Sequence, residues 1–433
     1  MSPTVLEPEI APVRDAEQSP ARPSLARFSD APGGGAPYSV FSSQEIYELE
    51  QERIFRGPTW SFLGLEAEIP KLGDFKSTFV GDTPVVVTRT PDGLGCWVNR
   101  CAHRGAIVQR LPRGNASAHS CVYHQWSFAR NGDLLGVPFK RGSHGMAGMP
   151  ADFEPAEHGL QKLRVSSYRG LLFATFRDDI PPIEDYIGPE MRPFVDRIFH
   201  KPIEYLGCSR QYANSNWKLY MENVKDPYHA SLLHLFHTTF NIYRVGMTMQ
   251  TIHEPTRGLH SIILASKDEV ADDASDAAAY SKQNIRSMKE GFSLEDPSVL
   301  AQIKEYDLLS TNHIQCIFPQ LVIQQIHNTL VVRQLLPKGP DHFELVFHFF
   351  GYADDTPEMR ELRRMQANLV GPAGYISMED TDATELVQRG TRRDADKSSY
   401  VGMGLEGPTG ENSSITEKMI RRYWQGYQQL MGF

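Results

Sequence analysis

The sequence predicts an α+β protein: a small all-β domain, then a larger second domain in which helices cover an antiparallel sheet. Three observations carry this. From Trp60 to about Arg177, short apolar runs such as Val85-Val86-Val87-Thr88 and Cys96-Trp97-Val98 alternate with turn residues such as Pro91-Asp92-Gly93. Longer strand-like runs come later, at 314–318, 321–326, 329–336 and 343–351, with His327-Asn328 as a two-residue hairpin between two of them. Helix-start signals follow. Thr356-Pro357-Glu358 combines a cap, a first-turn proline and an early carboxylate, and that helix is expected to end at Gly371-Pro372. Ser414-Ile415-Thr416-Glu417 precedes an apolar stripe of Met419, Ile420, Tyr423, Trp424 and Tyr427.

In chain order, residues 1–37 hold seven prolines and the run Gly33-Gly34-Gly35, which reads as a disordered extension. Ser42-Ser43-Gln44-Glu45 reads as a capping box that opens a helix through Phe55, stopped by Gly57-Pro58, so that 38–57 form an N-terminal helix packed on the second domain. The all-β domain is placed at 58–178 and the second domain at 179–433, joined by a proline-rich linker; the acidic, alanine-rich stretch 268–283 is a surface segment. With 433 residues, 40% hydrophobic and 22% charged, the chain is long enough for two or three domains with a substantial core. A net charge of −9 argues against nucleic acid and anionic membrane surfaces as partners. No apolar run reaches the length of a membrane span, and Glu7, Glu9, Asp15 and Glu17 spoil a targeting segment. Five cysteines, an odd number without an export signal, suit a reducing compartment, most simply the cytoplasm.

Two constellations carry chemistry. Cys101-Ala102-His103-Arg104-Gly105 and Cys121-Val122-Tyr123-His124-Gln125-Trp126 each supply one thiolate and one imidazole, with 17 residues between His103 and Cys121. A Rieske [2Fe–2S] centre needs this inventory, two cysteines on one iron and two histidines on the other. A structural zinc site could use the same residues, although zinc fingers pair cysteine with cysteine and histidine with histidine. Further on, Glu222-Asn223-Val224-Lys225-Asp226-Pro227-Tyr228-His229-Ala230-Ser231-Leu232-Leu233-His234 holds two histidines suited to Fe(II). Two imidazoles and one distant carboxylate make a facial triad with open positions. A five-residue step turns a regular helix by about 500°, so the rings converge only if the helix starts or bends here, as Pro227 suggests. Alone, such a pair is ordinarily a surface or packing feature.

Together these motifs give the chain, over roughly 38–433, a plain resemblance to the large (alpha) subunits of Rieske non-haem-iron ring-hydroxylating dioxygenases. Asp74-Phe75, Gly371-Pro372-Ala373-Gly374 and Glu379-Asp380 are similar to the branch that oxidises aromatic carboxylates: anthranilate, ortho-halobenzoate and terephthalate dioxygenases and salicylate hydroxylases. The resemblance implies that Cys101, His103, Cys121 and His124 hold the cluster, and that His229, His234 and Asp380 hold the mononuclear iron. Asp382 and Glu379 are the alternatives to Asp380, and His237 is the rival of His234. Ala106 and Tyr123 stand where respiratory Rieske proteins carry a disulfide, so the oxygenase type of cluster is the better match.

Asp226 resembles the family's bridging aspartate, which connects a cluster histidine of one subunit to an iron histidine of its neighbour across a trimer interface; here these would be His124 and His229. Asn223 is expected near the iron, with Glu222 and Tyr228 in support. The implied activity is cis-dihydroxylation of an aromatic acid by O₂ with electrons from NAD(P)H. The implied partners are a small beta subunit in an α3β3 assembly and a ferredoxin or reductase. Terephthalate 1,2-dioxygenation, salicylate monohydroxylation and pure electron transfer are the alternatives. Arg333 sits within the apolar strand 329–336, facing the same way as Val331 and Leu335. It needs an acidic partner, either a protein carboxylate or the carboxylate of the substrate.

Overall fold

The computed structural model describes residues 26–266, 273–306, 310–406 and 413–433. Residues 1–25 of the expected extension, and part of the 268–283 segment, lie outside these. Its architecture is the expected one: a small all-β unit beside a seven-stranded antiparallel sheet dressed with helices.

The all-β unit comprises a four-stranded sheet around Asp74–Val80 and Thr83–Thr90 and two three-stranded sheets. Its own core gathers Phe75, Val86, Trp97, Val108, Trp126 and Phe128, and both loop cysteines, Cys101 and Cys121, sink into it.

The large sheet is antiparallel throughout, and its central strands are Leu321–Ile326, Thr329–Pro337 and Phe343–Tyr352. Leu321–Ile326 and Thr329–Pro337 are buried at every position, because both faces of the sheet are covered. Alternate side chains serve two cores. Val322, Ile326, Val331, Leu335, Leu345 and Phe347 pack with Trp217, Tyr220, Met221 and Tyr423; Leu321, Ile323, Leu330, Val332 and Phe350 pack with Ile183, Ile187, Phe62 and Phe173. The hairpin between these strands turns at His327-Asn328, where His327 takes φ +49°.

Helix signals fared unevenly. Thr356 caps the Pro357–Val370 helix by accepting a bond from Met359 N at 3.2 Å, and the chain leaves that helix at Gly371. The N-terminal helix is capped by Ser43 alone, which accepts from Ile46 N at 3.2 Å. It spans Gln44–Glu50 as α-helix and widens into a π-turn over Gln51–Phe55. The expected capping box fails because the third helical position is Ile46, not Glu45. The Lys418–Met431 helix starts after Glu417 without a side-chain cap at that residue, while Thr416 Oγ1 accepts from Lys418 N; its predicted apolar stripe is buried.

The described end of the extension assigned to 1–37, residues 26–37, is ordered rather than disordered. Gly34–Pro37 forms a strand against Ser398–Tyr400, and Phe28 packs on Trp424, Tyr427 and Phe433. The glycines that suggested disorder are there for close approach, since a Cβ on Gly35 would lie 2.2 Å from Ser399 Oγ. Asp273–Lys282 is helical within the alanine-rich stretch.

Candidate active site and cluster loops

The two cluster loops are backbone copies of each other. Cys101 N donates to Ala106 O and Gly105 N to Cys101 O; Cys121 N donates to Trp126 O and Gln125 N to Cys121 O. Both fourth positions past the cysteine take positive φ, +76° at Gly105 and +56° at Gln125. The cysteines are buried and the imidazoles of His103 and His124 meet edge to face, 4.6 Å between centroids, with Trp126 stacked 4.8 Å from His103. Burial raises the Cys101 thiol pKa, against which the backbone N–H of His103 is a partner for the sulfur. Two inner thiolates and two outer imidazoles fit a cluster with one iron at each depth.

The second constellation is built on a broken helix. Asp226 caps Pro227–Leu233, its Oδ1 accepting from Tyr228 N at 2.8 Å and His229 N at 3.4 Å. His234 lies at φ −83°, ψ 95°, between that helix and Leu235–Thr239. This break, rather than the proline itself, turns His234 back towards His229 and brings the ring centroids within 5.3 Å. The third member comes from Ser377–Thr391, where Asp380 faces inward at 4% exposure and Asp382 faces solvent. One ligand atom each from His229, His234 and Asp380 lies within 4.8 Å of the others. Asp380 Oδ1 is 3.4 Å from His229 Nε2 and 3.2 Å from His234 Nε2, and Asn223 Nδ2 donates to the same oxygen at 3.0 Å. On their far sides the rings meet other carboxylates, His229 Nδ1 meeting Asp226 at 3.3 Å and His234 Nδ1 meeting Glu379 at 2.9 Å. Burial opposes protonation of His229, but Asp226 and Asp380 outweigh it and raise its pKa to about 10. Despite burial, the same histidines hold Asp380 well below the ordinary carboxylate range. Donors of this kind at this spacing could hold one divalent iron.

Other residues singled out from the sequence stand outside these three converging groups. Glu379, weighed as a ligand, abuts His234 on its outer side; Tyr228 lines a different cavity. Glu222 takes a hydrogen bond from Trp424 Nε1, and burial pushes its pKa up to about 7. His237 is not among the three converging groups but stands beside them, 5.1 Å from the His234 ring. Arg333 does reach the same cavity, at 2% exposure, bonded to Tyr220 Oη and Gln324 Oε1. Among the described residues no carboxylate pairs with it, and its Nε has no partner. Gln324, which with Gln325 interrupts an otherwise apolar strand, is a sequence signal for this contact.

A thiolate–imidazole pair of loops in one domain and a two-histidine, one-carboxylate set in the other define a protein with two distinct iron centres. Residues 59–152 match the family described as the Rieske [2Fe-2S] domain, and 201–432 match the ring hydroxylating alpha subunit (catalytic domain). The chain is 68% identical over 429 residues to the anthranilate 1,2-dioxygenase large subunit of Burkholderia cepacia, covering 99% of this chain and 100% of that one. It is 43% identical over 410 residues to the terephthalate 1,2-dioxygenase terminal oxygenase subunit alpha 2 of Comamonas sp., covering 94% and 98%. The fold matches naphthalene 1,2-dioxygenase from Rhodococcus sp. bound to indole, with TM-score 0.75 and 21% identity over 92% of this chain and 94% of that one.

The chain belongs to the ring-hydroxylating alpha-subunit family. It is a Rieske non-haem-iron aromatic-ring-hydroxylating dioxygenase with a [2Fe–2S] cluster and a mononuclear iron, a terminal oxygenase that works with partner proteins. Among the described residues no helix is long and apolar enough to cross a membrane.

Proposed function

We propose that this large subunit dihydroxylates an aromatic carboxylate, with anthranilate or another ortho-substituted benzoate as the favoured substrate. The observation that carries the proposal is Arg333, a buried guanidinium with no carboxylate partner among the described residues, lining the cavity that also touches His229, His234 and Asp380. An unpaired buried charge is costly, whereas a carboxylate on the ring would meet the guanidinium fork in a two-point contact. Identity to the anthranilate enzyme along the whole chain supports the same reading. Terephthalate dioxygenation and salicylate monohydroxylation are the rivals, each with a relative of that name.

In this reading Cys101, His103, Cys121 and His124 hold the cluster, and His229, His234 and Asp380 hold the iron. When bound, these groups would supply the redox chemistry of O₂ activation. The residues do the rest. Arg333 orients the acid, Val224, Ile263, Ile314 and Ile376 exclude water from around the ring, and Asn223 steadies the Asp380 carboxylate. Asp226 fixes the His229 tautomer and, in a trimer, would reach a cluster histidine of the neighbouring subunit. A beta subunit in an α3β3 assembly, and a reductase or ferredoxin carrying electrons from NAD(P)H, complete the proposal. The setting is cytoplasmic, in keeping with five cysteines that form no disulfide.

The test is oxygen uptake against product formation on anthranilate, benzoate, salicylate and terephthalate with purified reductase. Arg333→Gln should leave both iron sites filled and weaken the acid by about 2–5 kcal/mol, read as KM. An unchanged KM, or equal turnover of the uncharged methyl ester by the parent, removes Arg333 from the substrate site. Three irons per chain, the two of the cluster and one more, separate an oxygenase from a Rieske carrier.

A further inference from the structure

One polar side chain in the Arg333 cavity remains unused. His237 is 3% exposed and lines the cavity, and among the described residues neither of its ring nitrogens has a hydrogen-bond partner. Buried polar atoms in folded proteins are rarely left so, and an orphan aimed into a cavity commonly marks the place of a ligand atom. Neighbouring polar groups are committed: Asn223 Nδ2 to Asp380, Gln324 Oε1 to Arg333, and Asn312 Nδ2 to Ile242 O. The imidazole is also held firmly. The His237 carbonyl accepts from Ile242 N at 2.8 Å and Tyr243 N at 3.3 Å, and the ring stands edge to face with His234.

We propose that His237 accepts a hydrogen bond from an N–H or O–H group ortho to the substrate carboxylate, which makes it the specificity residue for 2-amino and 2-hydroxy ring acids. A neutral imidazole offers one acceptor nitrogen, which suits such a donor. A ring gripped at the carboxylate alone can still rotate about that bond and slide. A second grip on the adjacent substituent fixes which ring carbons face the converging His229, His234 and Asp380 atoms. The proposal rests on the assignment of Arg333 to the carboxylate, and its test keeps the two apart.

Anaerobic calorimetry on the iron-loaded enzyme compares 2-aminobenzoate, benzoate and 2-methylbenzoate, the last being similar in size to the amine but lacking an N–H. The parent should bind 2-aminobenzoate at least about tenfold more tightly than either. His237→Phe should erase that gap by weakening the amine alone, with benzoate within about twofold, and His237→Gln should restore part of it. Equal weakening of all three acids, an unaltered gap, or loss of iron from the variant overturns the proposal. So does a parent that treats 2-aminobenzoate and 2-methylbenzoate alike, a measurement that needs no variant to fold. Arg333→Gln should weaken all three acids together. If it weakens none, the carboxylate assignment falls, and the amine-to-methyl gap in the parent still reports on His237.

Discussion

Both histidines of the iron site present Nε2 to Asp380 and rest Nδ1 against a carboxylate, His229 on Asp226 and His234 on Glu379. A carboxylate behind an imidazole fixes its tautomer and strengthens it as a ligand. Glu379→Gln should therefore lower mononuclear-iron affinity by about 10–100-fold in a chelator challenge while sparing the cluster spectrum. Asp226→Asn separates two roles of one side chain. The amide oxygen can still accept from Tyr228 N, so thermal stability should shift by less than about 1 kcal/mol. Iron affinity should fall as it does at Glu379, so with iron in excess both metals should stay, but turnover should drop by about a hundredfold or more, with a cluster that stopped-flow reduction still fills and that no longer empties. Iron lost even under that excess would make Asp226 structural. The cluster ligands, His229 and His234 were legible because their spacing is local. Glu379, His237 and Gln324 were not assigned these positions, because their partners come from other elements and only the fold brings them together.

At the level of elements, the site depends on how Trp217–Asn223 is anchored, since that helix ends in Asn223. Its Lys218 pairs with Glu50 of the N-terminal helix at 2.6 Å, both side chains fully buried, and Glu50 also accepts from Trp217 Nε1 and Tyr427 Oη. One carboxylate thus joins three helices. Removing one partner of a buried pair strands the other, so Lys218→Met should cost about 3–5 kcal/mol in denaturant unfolding. Adding Glu50→Gln to it should recover part of that loss, an outcome that independent sites would not give. Sequence signals worked where chemistry was local, as at Thr356 and Pro357. They failed at Ser42–Glu45, where a one-residue offset decides the cap, and at Gly33–Gly35, where Gly35 makes a close approach to Ser399.

Across the whole molecule, burial keeps several histidines neutral. It pushes His260 down to about 4 and His313 and His348 down to about 3, with Arg197 near His313 and Lys76 near His348 adding to the shift. An unfolded histidine titrates near pH 6.5, so on acidification the unfolded chain takes up the proton first. The stability they provide is complete above about pH 6.5 and falls towards their folded values, by up to about 1.4 kcal/mol per pH unit for each residue. Melting temperatures should decline between pH 6.5 and 5, and His313→Gln should show a shallower slope than the parent. A parallel slope would mean that His313 titrates as freely folded as unfolded.

The pairing of Gly34–Pro37 with Ser398–Tyr400, sealed by Ala36 N on Ser399 Oγ across 363 positions, has a consequence for how the protein is made. The ribosome delivers the first strand long before its partner exists. While the rest of the chain is translated, the leading segment has no strand to pair with and Phe28 has no C-terminal helix to rest on. Nascent chains arrested before residue 398 should be clipped by protease between Phe28 and Pro37, and chains released at full length should resist at the same bonds.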